Sequence, residues 1–78
     1  MPYKILMVDD DTELLKMLRS YFEMKNYEVI TAENGIEGLQ KIELKPDIIL
    51  LDVNMPQVDG IEVCRRIRDK VACPVLFL

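Results

Sequence analysis

Seventy-eight residues allow one small domain at most, and a chain of that size buries only ~60% of the surface its unfolded form exposes. Half of the residues are hydrophobic, 31% are charged and the formal net charge is −4, which suits a soluble globular protein and argues against nucleic acid or anionic lipid as a partner of this chain. Two cysteines and no histidine exclude a disulfide framework, His-based catalysis and most transition-metal sites, with a reducing cytoplasm as the expected compartment.

Lys4 to Val8 (K-I-L-M-V) is a short apolar run without Gly or Pro, which predicts a first strand. It lacks the basic start and the long apolar stretch of a signal peptide, and no run in the chain is long enough to cross a bilayer. Asp9-Asp10-Asp11-Thr12 follows, with Thr12 as the expected N-cap and Asp11 as a solvated first-turn acid. From Glu13 to about Lys25 the spacing is helical, with Leu14, Leu15, Leu18, Tyr21 and Phe22 on the inward stripe and Asn26 as the stop. Glu28 to Thr31 is short and β-branched, a second strand expected at an edge.

Asn34-Gly35 opens a second helix to about Leu44, with Ile36, Leu39 and Ile42 inward and Glu37, Lys41 and Glu43 outward. Gly38 costs that helix roughly 1 kcal/mol relative to Ala unless close packing needs the missing side chain. Ile48 to Leu51 has no polar alternation, the pattern of a strand covered on both faces. It ends on Asp52 and breaks into a loop with Pro56 and Gly60. Asp59 with Glu62 makes a capping-box-like start for a third helix to about Arg68, with Ile61, Cys64 and Ile67 inward and Arg65, Arg66 and Arg68 solvated. Cys73, an incidental loop residue, precedes Pro74, and Val75 to Leu78 reads as a fourth buried-type strand.

Strands alternating with helices over short connections predict an α/β fold with a parallel sheet and right-handed crossovers. In a 2-1-3-4 strand order the first and third strands are neighbours, so Asp9, Asp10 and Asp52 converge at one end of the sheet. Close carboxylates raise one another's pKa unless a cation sits among them. Hard oxygen ligands with an incomplete shell suit Mg²⁺, which commonly bridges carboxylates to phosphate oxygens. Such a site does phosphoryl chemistry, with one carboxylate oxygen as nucleophile.

V-D-D before a capped helix, together with L-D-V-N-M-P-x-x-D-G from Leu51 to Gly60, closely resembles the receiver domain of bacterial two-component response regulators. The resemblance runs through the whole chain in order. It implies a flavodoxin-like three-layer fold with Asp52 as phosphoacceptor and a sensor histidine kinase, or a small acyl phosphate, as donor. It also implies Mg²⁺ held by Asp10 directly, by Asp9 mainly through water, by Asp52, and by Asn54 through its backbone carbonyl. On this reading residues 1–78 are a partial receiver domain rather than an enzyme, with self-phosphorylation and dephosphorylation its only chemistry.

Receivers continue with a Ser or Thr just after the fourth strand and a Lys on a fifth, both contacting the phosphoryl group. The 78 residues hold neither, nor a fifth strand or the last two helices. The expectation is therefore impaired phosphorylation, and a homo-dimer or oligomer formed through the exposed fourth strand. A signalling-incompetent, self-associating module is the alternative. A phosphatase of the haloacid-dehalogenase type also places an Asp nucleophile after an apolar strand. That motif requires a second Asp two residues on, where this chain has Asn54, and it leaves Asp9-Asp10 unexplained.

Overall fold

The computed structural model describes residues 3–52, 65–69 and 75–77. In chain order they form β1 (Lys4–Val8), α1 (Thr12–Met24), β2 (Glu28–Ala32), α2 (Gly35–Lys41), a 3₁₀ turn (Ile42–Leu44), β3 (Ile48–Leu51), a helical segment at 65–69 and β4 (Val75–Phe77). The strands make one parallel sheet in the order β2-β1-β3-β4. This is the parallel α/β sheet expected from the alternation of elements, in the flavodoxin-like order that the family resemblance implies. β1 and β3 lie inside, paired from Ile5↔Ile48 to Val8↔Leu51, so both inner strands end side by side.

The pleat sends alternate residues of each inner strand into different cores. On the α2 side, Leu6, Val8, Ala32, Ile42, Ile49, Leu51 and Ile67 are buried together. On the α1 side, Ile5, Met7, Leu15 and Val29 form the second cluster, with Ile48 and Leu50 half-buried against it. Each fully buried aliphatic side chain contributes ~1.5–3 kcal/mol. β3 is thus sealed on its α2 face and only partly covered on the other, less than its unbroken apolar run suggested. On β4, Val75 packs against the first cluster while Leu76 is 50% exposed, so this strand too is covered on one face rather than two.

Several local expectations change. Asp11, not Thr12, is the N-cap of α1: its backbone is extended and its side chain accepts from Leu14 N–H at 3.1 Å. Thr12 is the first helical residue. An aspartate one residue upstream already fills the cap, and such a cap stabilises a helix by ~1 kcal/mol. Tyr21 is 54% exposed, its ring set edge-on to Phe22 and under Lys25 Nζ, while Leu15 alone of the inward stripe is fully buried. α1 ends as expected before Asn26, which takes a left-handed φ of 69°.

In α2 the buried side of the first turns is made by Gly35 and Gly38, which leaves Ile36 63% exposed rather than inward. The helix stops at Lys41 and tightens into the 3₁₀ turn, closed by Lys45 with φ 58°. Glu37 and Lys41 are half-buried against β2 rather than fully outward. In the segment at 65–69, Ile67 is buried and Arg65, Arg66 and Arg68 are exposed, as their spacing predicted. The capping-box start at Asp59 and Glu62, Pro56, Gly60, Cys64 and Cys73 lie outside the described residues. Among the described residues no helix is long and apolar enough to cross a membrane.

Candidate functional site

The site grows from the carboxyl ends of β1 and β3. Asp9 follows the last residue of β1, and its N–H donates to Ala32 O at 3.0 Å, extending the pairing with β2. Asp52 follows β3, and its N–H donates to Val8 O at 2.9 Å, extending the pairing with β1. Both carboxylates are therefore anchored by main-chain bonds at the ladder's last rung. Asp10 is the next residue outward and is exposed. Asp9, Asp10 and Asp52 each offer an oxygen, and these oxygens all lie within 4.8 Å of one another.

Asp9 is the buried member, 5% exposed, and its Oδ1 accepts from Asp11 N–H at 3.0 Å. Burial pushes its pKa above the ordinary aspartate value; the Asp11 N–H opposes this, while the charge of Asp52, a hydrogen bond shared with it, and the charge of Asp10 reinforce it. A carboxylate so placed is short of positive charge. An all-oxygen donor set of this kind fits a hard divalent cation and suits neither a soft metal nor a redox centre. Asn54, the remaining candidate ligand, lies outside the described residues.

Two residues support the site in ways the sequence only hinted at. Asp11 holds α1 with its side chain and Asp9 with its N–H. The run of three aspartates before the helix carried that signal, but Thr12 competed for the same role. Gly38 is the second. A Cβ there would stand 2.8 Å from Val8 Cγ2 and 3.3 Å from Cγ1. The bare glycine lets α2 lie against Val8, the residue that precedes Asp9 and whose carbonyl receives Asp52.

Residues 5–78 match the family profile described as the response regulator receiver domain. The chain belongs to this family. Among curated relatives, this receiver domain is 51% identical over 76 residues to the transcriptional regulatory protein ResD of Bacillus subtilis, covering 96% of the chain and 32% of ResD. It is 44% identical to the nisin biosynthesis regulatory protein NisR of Lactococcus lactis, covering 100% of the chain and 34% of NisR. The receiver domain thus spans about a third of the length of these relatives. Among solved structures it superposes on the chemotaxis protein CheY4 of Vibrio cholerae with TM-score 0.92 at 33% identity, over 99% of this chain and 68% of that one. A two-component response regulator from Clostridium difficile gives TM-score 0.91 at 32% identity, over 96% and 63% of the respective chains.

Proposed function

We propose that this receiver domain accepts a phosphoryl group on Asp52 in a Mg²⁺-dependent step of a cytoplasmic two-component phosphorelay, with a sensor histidine kinase as donor. The observation that carries the reading is the meeting of three carboxylates at the ends of β1 and β3, their oxygens within 4.8 Å. Asp9, Asp10 and Asp52, with the carbonyl of Asn54, are the residues that would hold the cation. When bound, Mg²⁺ offsets the negative charge of the carboxylates and of the incoming phosphoryl group.

The chain's own residues do the rest. An Asp52 oxygen attacks phosphorus; the new bond is O–P, and the bond broken is P–N of a phosphohistidine or P–O of an acyl phosphate. The Asp52 N–H bond to Val8 O fixes the backbone of the nucleophile during this exchange. Within these 78 residues no Lys or Ser/Thr takes the positions that the family resemblance assigns to phosphoryl contacts. Labelling of the 78-residue chain by itself is therefore expected to be slow or short-lived.

Incubation with acetyl phosphate, followed by intact-mass spectrometry, tests the reading. A Mg²⁺-dependent adduct of low occupancy at Asp52 is expected, and its absence at every Mg²⁺ concentration overturns the assignment. Titration with Mg²⁺ should raise thermal stability and move the NMR signals of residues 9, 10 and 52.

Self-association through β4 is the second element of the proposal. It is supported by Leu76, 50% exposed at the described edge of the sheet, and by the half-buried Ile48 and Leu50 on the same sheet. A concentration-independent monomer in sedimentation equilibrium would contradict it.

A further inference from the structure

β2 is the other outer strand, and the carboxyl-terminal end of its free edge is met by side chains. Glu28 N–H donates to Tyr3 O, and Ala32 O accepts from Asp9 N–H, so Glu28 and Ala32 address β1. Main-chain groups alternate in direction along a strand, so Thr31 and Glu33 turn theirs away from the sheet. Those outward groups are met by α2. Lys41 Nζ donates to Thr31 O at 2.5 Å and pairs with Glu37 Oε1 at 2.8 Å. Glu37 Oε2 in turn accepts from Glu33 N–H at 3.4 Å.

A single pair spaced i,i+4 on one helix therefore occupies an acceptor and a donor of the strand edge. A bare edge carrying E-V-I-T-A, rich in β-branched residues, is a template for another strand. The two ion pairs on α1 do nothing comparable: Glu13–Lys16 is a 3.8 Å contact between well-exposed side chains, and Arg19–Glu23 lies along the helix.

We infer that the Glu37–Lys41 pair is an edge guard, which keeps β2 from adding a strand of a second copy of this chain. Association of the native chain is thereby confined to surfaces other than β2. The inference does not depend on the phosphoryl chemistry of Asp52.

The test compares Lys41→Met, Lys41→Arg and Lys16→Met, each checked by circular dichroism for native helix content. Lys16→Met removes a cation from α1 and leaves the β2 edge as it is. Lys41→Met should raise the weight-average mass about twofold over Lys16→Met at equal concentration, as a pairwise contact requires. Its Val29 and Thr31 amides should gain protection from hydrogen exchange as concentration rises. Lys41→Arg, which keeps a charged donor, should restore the native mass. Equal masses for Lys41→Met and Lys16→Met overturn the inference, as does new protection confined to Val75–Phe77. If Lys41→Met loses its helix content, Glu37→Gln decides: it loosens the Glu33 N–H and should expose that amide to exchange, and an unchanged rate there overturns the guard.

Discussion

Two acidic groups at the same end of the sheet have opposite fates. Asp9, buried beside Asp10 and Asp52, is pushed above its ordinary pKa, chiefly by burial. Glu37, at the β2–α2 corner, is held below its ordinary value, chiefly by its hydrogen bond to Lys41. The Glu37 corner is satisfied from within the chain and does structural work. At Asp9 the chain gathers negative charge and supplies one main-chain N–H, that of Asp11, an arrangement that fits the proposed cation. The difference separates the proposed cation site from a brace among residues of the same chemistry.

The comparison breaks most completely at Asp52. Asp52→Asn should abolish the phosphoryl adduct expected on incubation with acetyl phosphate, read by mass spectrometry, while leaving the fold intact by circular dichroism. A persisting adduct of equal occupancy would place the chemistry elsewhere.

Next in size is the packing beneath the site. Gly38→Val forces a β-branched side chain against Val8, which a Cβ alone already approaches to 2.8 Å. Overpacking of this kind costs about 1–3 kcal/mol, measurable by urea unfolding. Because Val8 precedes Asp9 and binds Asp52 N–H, the midpoint of Mg²⁺ titration should also rise to higher concentration.

Asp9→Asn sharpens the contrast directly. It removes a charge that burial and its neighbours disfavour, and it keeps an oxygen for Asp11 N–H. In Mg²⁺-free buffer the variant should be more stable than the native chain by on the order of 1 kcal/mol, raising Tm by roughly 4–8 °C. Added Mg²⁺ should then stabilise it less than the native chain. A variant that loses stability without Mg²⁺ would show that the cluster is held together by something other than a cation.

The smallest effect belongs to Glu37. Its folded pKa lies below its ordinary value of 4.5, so its contribution is present above that value and is lost as pH falls through the folded one. Glu37→Gln should therefore weaken the fold near neutral pH and converge with the native chain in acid. With a third of the side chain exposed, the gap stays below about 1 kcal/mol. A gap that widens on acidification would reverse the assigned role.

Much of this was readable in the chain. Apolar runs separated by helical spacing marked four strands of a parallel sheet with right-handed crossovers, while their 2-1-3-4 order came with the family resemblance and is the order of the folded chain. Given that order, an aspartate at the end of each of the two inner runs makes the acids meet, since neighbouring parallel strands bring like ends together. The side of a residue on a helix was less legible. Tyr21 and Ile36 carry inward spacing yet lie open, because a neighbouring surface decides which part of an apolar stripe is used. The choice of Asp11 over Thr12 as cap turned on one residue of register. The buried state of Asp9 and the seat of Gly38 on Val8 arise between segments that are distant in sequence, and the contacts of Glu37 and Lys41 with Glu33 N–H and Thr31 O arise between α2 and the strand before it. Periodicity reports only how a segment divides its own faces; burial, pKa and edge pairing depend on what lies opposite, and that the tertiary structure alone decided.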